Sequence, residues 1–436
     1  MIIRNLDKYK VTTTKELLTS FAGLPLLWGM GRSLGLEEKL NGLKIKERER
    51  GYKPAETVLT LMGLLQAGGV ALDDVSVLKG DEGMKALMGE VPAANTLGEF
   101  LRRFCHRTIY ELGKIVMETG VKVIRACKLK GLTLDVDAFF LESQKAEALM
   151  NYEGLWGYNP VAVTCAELKM PMVGMFRAGN ASPMADLRGL LRRVIQALRR
   201  FGIEVRGRSD SAGYQAGVVR VFHEESADFT ITVRKDEAVM ETIRSNPTKA
   251  WERYETGAWE NRETEIAETV HAFGDEDLPA YRMIVIRWPK EQGELFGKDR
   301  HEYHAVMTSY DHWMAGLVLQ FHRSRQDGSE NVNKELSGGF GLSKLPCQEM
   351  KANAAYFQIA LLANTVFAAL KHLALPEGWR NWTMKTVRFR LIRLAGLVMR
   401  RSRYLYLKIP IHYPYKEVFE QARCRLLGLW VELGVV

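Results

Sequence analysis

Two aspartates in this sequence each end a run of residues that alternates like a β-strand. Asp137 closes the run TLDVD, and Asp210 follows the run IEVRGRS. Strict alternation of apolar and polar residues is typical of a strand with one buried face. Two carboxylates brought together repel each other, so such a pair has a raised pKa or binds a cation. Hard oxygen ligands favour Mg²⁺ or Mn²⁺, which also bind phosphate oxygens.

A third acid would complete a site for two metal ions, about 4 Å apart, that promote attack at phosphorus. Glu330, in the run SENVNKE of a predicted late helix, is the candidate. Asp135 shares a strand face with Asp137 and competes for the first role, and Glu335 competes with Glu330 for the third. An aspartate at a strand end is commonly a turn or cap residue, and a helical glutamate is commonly solvated. From the residues alone these alternatives stay open.

The elements around the two aspartates must bring their strands side by side. Apolar spacing predicts, in chain order, strands at 132–137, 160–166 and 172–176, a helix at 183–201, a strand at 203–208, a helix at 214–222 and a strand at 229–233. Hairpin-linked strands followed by crossover helices indicate a mixed sheet covered on both faces. This order matches the RNase-H-like fold, an α/β mixed five-stranded sheet in which the first and fourth strands are neighbours.

The regions outside this sheet differ in character. Residues 1–130 carry helical spacing, with stretches at 56–66, 74–88 and 97–104. We therefore predict five parts: a helical amino-terminal domain (1–130), compatible with a DNA-binding domain and equally with a plain helical bundle, the first part of an RNase-H-like candidate catalytic domain (131–235), an inserted β-rich subdomain (236–312), the remainder of the candidate catalytic domain with the glutamate (313–375) and a basic carboxy-terminal region (376–436).

Charge and cysteine content narrow the class of protein. The net charge of +9 lies entirely in residues 371–436, which hold 13 Lys and Arg against 4 acids, while the remainder balances at 48 each. A local basic surface is the usual footprint of a polyanion partner, although it can be a solvated face. No signal peptide or membrane-spanning run is expected, and the five scattered cysteines predict reduced core thiols. These features favour a cytoplasmic protein.

Several long motifs resemble the DDE transposases of bacterial insertion sequences. They are LLQAGGVALDDVSVLKGDEGMKALMG with NTLGEFLRRF, TLDVDAFF, RGRSDSAGY, SENVNKELSGGFGLSKLP with CQEMKANAAYFQIALLANTVF, and the basic TVRFRLIRLAGLVMRRSRYLYLKIP. The resemblance covers nearly the whole chain and is strongest to the branch named after element thirteen-eighty, which is related to the element-four family. It implies Asp137, Asp210 and Glu330 as catalytic metal ligands for Mg²⁺, with Mn²⁺ as an alternative.

The resemblance also implies the reaction and the partners. DNA is cleaved at the ends of the element, and the freed 3′-OH then attacks the opposite strand or the target DNA. The expected partners are double-stranded DNA, as terminal inverted repeats and target, and a second copy of the chain in a synaptic complex. The wider family has an arginine four residues before its glutamate and a lysine seven after. Here those positions hold Gln326 and Ser337, with Arg325 and Lys334 nearby.

Basic and aromatic residues supply candidates for DNA contact. Phosphate contacts make binding salt-dependent and carry little sequence information. The candidates are Arg325, Lys334, Arg388, Arg390, Arg393, Arg400, Arg401, Arg403 and Lys408. Tryptophans of the predicted insertion, namely Trp251, Trp259 and Trp288, could stack on a flipped base, but packing inside a small core is the more common role of such residues.

Three other functions fit parts of the pattern. A decayed or repurposed DNA-binding protein would explain the altered surroundings of Glu330. A nuclease of the same fold would cleave without joining. A glycosidase also uses paired carboxylates, but the basic tail argues against it.

Overall fold

The computed structural model of the chain describes residues 10–46, 51–182, 187–254, 263–275, 277–290 and 300–432. The amino-terminal part is helical apart from one short strand, and α3 and α6 match predicted helices. Its elements are β1 (Leu17–Thr19), α1 (Leu24–Ser33), α2 (Leu36–Asn41), α3 (Pro54–Ala67), α4 (Val75–Lys79), α5 (Glu82–Met88), α6 (Ala94–Arg102) and α7 (His106–Ala126). Helix α3 begins with Pro54 and ends where Gly68 takes a left-handed conformation, φ +97°.

The next segment carries the strands that hold Asp137 and Asp210. Its elements are β2 (Gly131–Ala138), β3 (Leu141–Glu142), β4 (Leu149–Met150), β5 (Trp156–Tyr158), β6 (Val161–Cys165), β7 (Met170–Met175), α8 (Leu187–Arg199), β8 (Glu204–Ser209), α9 (Ala216–Glu224) and β9 (Asp228–Thr232). The five strands predicted for the central sheet are present within two residues of their predicted bounds. The small strands β3, β4 and β5 form a separate sheet in the order β3-β5-β4.

The remaining elements complete the chain. They are α10 (Glu237–Arg244), β10 (Glu252–Arg253), β11 (Glu265–His271), β12 (Tyr281–Pro289), β13 (His301–Thr308), α11 (Ala315–Arg323), α12 (Asn331–Lys334), α13 (Met350–Ala369), α14 (Met384–Val387), β14 (Gly396–Arg401), β15 (Tyr404–Lys408) and α15 (Lys416–Glu432). π-Helical turns adjoin α12, α13 and α14, at Gln326–Glu330, Glu335–Gly339, Leu370–Ala374 and Arg388–Ile392.

The central sheet has nine strands in the order β10-β11-β12-β13-β9-β8-β2-β6-β7. Strand β2 pairs parallel with β8 and antiparallel with β6, and β8 pairs parallel with β9. The five predicted strands therefore lie together in a mixed sheet. The strands of the predicted insertion continue this sheet, because β13 pairs with β9, rather than forming a sheet of their own.

One hydrophobic core joins the helices of the amino-terminal part to the sheet. Helix α13 lies at its centre and packs against α3, α6, α7 and β7. Together with the turn that follows, it spans Met350–Ala374 and is apolar and long enough to cross a bilayer, but its apolar window is wholly inside the protein. Of the five free cysteines, Cys165 and Cys347 are buried as predicted, whereas Cys105 and Cys424 are exposed.

Candidate active site

The parallel pairing of β2 and β8 brings the two aspartates to one edge of the sheet. Val136 pairs with Ser209 across the two strands. Asp137 directly follows Val136, and Asp210 directly follows Ser209. Asp210 then turns the chain, because its Oδ1 accepts a hydrogen bond of 3.0 Å from the backbone N–H of Ala212. The carboxyl ends of two neighbouring strands therefore carry one carboxylate each.

The third acid reaches this edge on a widened helical turn. The π-helical turn Gln326–Glu330 contacts β2 and β6. A Cβ atom at Gly328 would lie 2.2 Å from Oδ2 of Asp135, so any side chain there would push the turn away from the sheet. Glycine at this position thus permits the close approach that brings Glu330 to the carboxylate edge. π-Helical turns occur frequently at functional sites.

Asp137 is the most enclosed of the three carboxylates, with 8% of its surface exposed. Nδ2 of Asn333 donates a hydrogen bond of 3.0 Å to its Oδ2, and Nη1 of Arg325 lies 3.9 Å from its Oδ1. Burial raises the pKa of Asp137 to about 6, against the opposing charge of Arg325, and the negative charges of Asp210 and Glu330 raise it further. The three acids therefore interact through their charges.

Asp135 has a different role, although it lies only two residues from Asp137. It is fully buried and receives two hydrogen bonds from Arg208, at 2.6 Å from Nε and 2.9 Å from Nη2. Such a bidentate pair satisfies both carboxylate oxygens. Arg208 is in turn tied to the carbonyl of Phe321 and the hydroxyl of Ser324. Asp135 therefore joins β2, β8 and the end of α11, and has no free oxygen to offer a metal ion.

Glu335 is also held by contacts within the protein. Its carboxylate accepts a hydrogen bond from the backbone N–H of Met384, and the charges of Lys371 and Arg388 act on it. Burial nevertheless raises its pKa above the ordinary range. These contacts direct Glu335 away from Asp137, whereas Glu330 is half-exposed and its charge acts on Asp137. The geometry therefore favours Glu330 over Glu335 as the third acid.

The three acids fit a divalent metal ion in their chemistry. All offer hard oxygen ligands, and burial and mutual repulsion disfavour leaving Asp137 as an unpaired anion. Among the residues that the structure describes, no three His, Cys, Asp or Glu side chains lie close enough together to hold an ion. Arg325 and Asn333 contact the oxygens of Asp137 instead. Sharing one metal ion therefore requires the three acids to come closer together.

Comparison with known families identifies the family to which this chain belongs. The family model described as "Transposase DDE domain group 1" matches residues 5–429. The chain belongs to this family. The expectation of a DDE transposase is thereby confirmed at the level of the family. DNA transposition is accordingly its general function, and DDE domains generally use divalent metals.

Comparison with solved structures gives distant likenesses. The chain resembles the piggyBac transposase in a cryo-EM structure of its synaptic complex with hairpin DNA, with a TM-score of 0.48 and 12% sequence identity over 84% of this chain and 80% of that one. Among curated proteins, none matches this chain.

The basic residues predicted to contact DNA differ in their exposure in this transposase. Arg388 is buried and donates to the backbone carbonyls of Leu65, Gln66 and Gly339, so it ties α3 to the π-helical turns near α14 and is inaccessible to a phosphate. Arg390 is half-buried and lies over the ring of Trp382. The exposed members of the set are Lys334, Arg393, Arg400, Arg401, Arg403 and Lys408.

The tryptophans of the predicted insertion that the structure describes have structural contacts. Trp251 is buried, and the guanidinium of Arg287 lies 3.9 Å from its ring centroid. The indole N–H of Trp288 donates to Glu302. These contacts favour the packing role for both. Trp259 lies outside the described residues.

Several residues that shape the site were not among the predicted site residues. Arg208 and Asn333 lie within the quoted motifs, but their roles depend on contacts between distant segments. Gly328 could have been noticed, since a glycine inside a predicted helix commonly has a packing reason. The pairing of Arg208 with Asp135 could not have been read from spacing, because 73 positions separate the two residues.

Proposed function

We propose that this transposase cleaves and joins DNA with Asp137, Asp210 and Glu330 as ligands of divalent metal, Mg²⁺ or Mn²⁺. The observation that carries the proposal is the shared sheet edge: the registered ends of β2 and β8 present Asp137 and Asp210, and Glu330 acts on the charge of Asp137. The strand order β9-β8-β2-β6-β7 supports assigning this part of the sheet to the RNase-H-like fold.

Each residue has a distinct task in this proposal. Bound divalent metal would polarise the scissile phosphate and activate the attacking water or 3′-OH. Asp137 and Asp210 supply two carboxylates at the ends of β2 and β8, and the pairing of these strands fixes where the carboxylates lie. Glu330 closes the site from the helical side, and Asn333 orients the Asp137 carboxylate through its hydrogen bond. Arg325 lies beside Asp137 and is suited to contact a phosphate once that carboxylate is neutralised.

A basic surface near the carboxyl terminus supports duplex binding. Residues 378–416 contain ten Lys and Arg and no acid. Strands β14 and β15 pair with Arg401 opposite Tyr404, which makes a tight hairpin whose basic side chains are exposed. A two-stranded ribbon fits the major groove of DNA. We assign Arg400, Arg401, Arg403 and Lys408 to phosphate contact, with terminal repeats and target DNA as ligands and a homodimer as the assembly.

We assign the protein to the cytoplasm and its gene to an insertion sequence. The test is metal-dependent cleavage of the DNA that flanks this gene. Wild-type protein with Mg²⁺ should nick this DNA and join the 3′ end to a second duplex. Asp137→Asn, Asp210→Asn and Glu330→Gln should each reduce cleavage at least about a hundredfold, while the matched variant Glu335→Gln retains it if it folds. Equal cleavage by wild type and Asp210→Asn would refute catalysis at this edge.

A non-catalytic DNA-binding protein is the second candidate. It is favoured by the absence, within the described residues, of three acids close enough to hold an ion. This candidate predicts salt-sensitive DNA binding without metal-dependent nicking. Cleavage without any strand-transfer product would instead identify a nuclease of the same fold.

A further inference from the structure

A small hairpin beside the carboxylate edge exposes an unusual amount of apolar surface. It consists of β4, β5 and the turn between them, residues 149–158. Tyr152 at its tip is 92% exposed, and Met150 and Trp156 are about half exposed. Met150 and Trp156 are directly opposed across the two strands, so their side chains lie on the same face. Leu149 and Leu155 are exposed as well.

The tip of this hairpin is held rigidly. Oδ1 of Asn151 accepts hydrogen bonds of 2.9 Å from the backbone N–H groups of Glu153 and Leu155. The backbone of Asn151 also bonds to Leu155 and Gly154, and Gly154 supplies the left-handed conformation that closes the turn, φ +81°. Tyr152 is therefore presented on a preformed support, which reduces the conformational entropy lost when it binds a partner.

The opposite side of the hairpin is anchored next to the site. Tyr158 is fully buried, and Gly157 pairs with Glu142 of β3. Three residues after Tyr158 the chain enters β6, whose Val161 pairs with Ala138, the residue that follows Asp137. The hairpin thus projects from the same edge of the sheet that carries Asp137, and β2 and β6 connect the two rigidly.

We propose that the 149–158 hairpin inserts Tyr152, supported by Met150 and Trp156, against unstacked bases of the DNA at the cleavage site. This inference rests on the proposed function, because only bound DNA brings bases to this edge. Apolar and aromatic wedges that enter a base stack partly unstack it at a cost of a few kcal/mol per step. DNA that is already unstacked at that step therefore binds more tightly than a fully paired duplex.

The composition of the tip favours bases over phosphates. Residues 149–158 contain no Lys or Arg, and their single charge is Glu153. A negative charge beside a phosphate is repulsive, whereas the faces of bases are uncharged and stack on aromatic rings. A second copy of the chain is the alternative occupant of this apolar surface, and the same experiment distinguishes it.

The experiment compares two duplexes of equal length, one fully paired and one with a central mismatched step, by fluorescence anisotropy in the presence of chelator. Wild type should bind the mismatched duplex about tenfold more tightly. Tyr152→Ala/Trp156→Ala should lose this preference and keep the affinity of wild type for the paired duplex. Tyr110→Ala, which removes an exposed tyrosine of α7 outside the hairpin, should keep both.

Two further measurements accompany the binding experiment. The fluorescence of 2-aminopurine placed beside the mismatch should increase when wild type binds and should not increase with the double variant. Thermal unfolding checks that the two proteins fold alike. Equal binding of the two duplexes by wild type overturns the wedge, and so does a preference that survives in the double variant. Loss of a dimer in the double variant, with DNA preference unchanged, assigns the surface to a second copy. Cleavage of flanking DNA is scored separately, so the proposed function can stand when the wedge fails.

Discussion

The interior around Asp135 and the sheet edge around Asp137 contain the same functional group on the same strand. Around Asp135, a bidentate guanidinium supplies a full countercharge at hydrogen-bond distance. Around Asp137, Nη1 of Arg325 lies 3.9 Å away, beyond hydrogen-bond distance, and Asn333 donates a hydrogen bond from a neutral amide. Burial raises the pKa of both carboxyls to about 6. The two regions differ in how completely the charge is compensated by the protein itself.

This difference separates a structural acid from one that can take up a ligand. A buried carboxylate whose oxygens are already paired gains little from a metal ion. A carboxylate that is buried, close to further acids and incompletely paired is stabilised much more by a metal ion. The comparison can be tested by removing the partners of each carboxylate in turn.

The largest expected effect comes from Arg208→Ala. Both members of its pair with Asp135 are buried, so the variant leaves an uncompensated carboxylate inside the protein. The free energy of unfolding should fall by about 3–5 kcal/mol at pH 8. Urea unfolding followed by circular dichroism measures this change. A loss below about 1 kcal/mol would contradict the structural role given to Asp135.

Asp137→Asn should have the opposite effect on stability. Burial raises the pKa of Asp137 from its ordinary value of 3.8 to about 6 in the folded protein, so protonation favours the folded form. The stabilisation is complete below pH 3.8 and is lost as the pH rises through about 6. At pH 8 with chelator, the variant should be about 2–3 kcal/mol more stable than wild type, and this difference should vanish near pH 4. A variant less stable than wild type at pH 8 would count against a strained carboxylate.

Gly328→Ala tests how the two regions are joined. The new Cβ would meet Oδ2 of Asp135, so the π-helical turn must move and Glu330 moves with it. We expect a loss of about 1–3 kcal/mol in the free energy of unfolding, together with a fall in the cleavage rate. Gly338→Ala is the matched control, because its Cβ would lie 3.6 Å from the nearest atom, Nζ of Lys385. Equal behaviour of the two variants would refute the close approach.

Arg325→Ala should have the smallest effect on stability, about 1 kcal/mol or less. At 3.9 Å the pair is weak, and Asp137 can take a proton when the guanidinium is removed. Because Arg325 lowers the pKa of Asp137, the variant should shift the pH-dependent loss of stability to higher pH. Unfolding curves collected between pH 4 and pH 8 measure this shift. A loss as large as that of Arg208→Ala would erase the distinction between the two regions.

Much of the sheet could be predicted because its strands are short runs bounded by turn residues, alternating in β2 and mostly apolar in β6 and β7. The placement of β2 beside β8 followed from strand order alone. The alternation of β2 predicts one solvated face, yet Thr133, Asp135 and Asp137 are all buried. Their face is covered by a turn almost 200 positions later in the chain. Whether Asp135 or Asp137 is paired depends on Arg208, and no local pattern records such a contact.

The exposed and buried arginines of the carboxy-terminal region give a second example. Arg388 and Arg400 look alike in sequence, as members of one basic run. Arg388 donates hydrogen bonds to backbone carbonyls only because α3 packs against the turn after α14. The continuation of the central sheet by β13 likewise depends on pairing with β9, which sequence alternation does not specify.

The widened turn before α12 has a consequence for helical phase. In an α-helix, residues four apart lie on one face, whereas a π-helical turn bonds residues five apart. Arg325 precedes Glu330 by five residues across the π-helical turn Gln326–Glu330. It therefore occupies the face that an arginine four residues earlier occupies on a regular α-helix. The extra residue in the π-helical turn compensates for the displacement of the arginine by one position. Arg325 therefore keeps the position relative to Glu330 that the four-residue spacing gives on a regular α-helix.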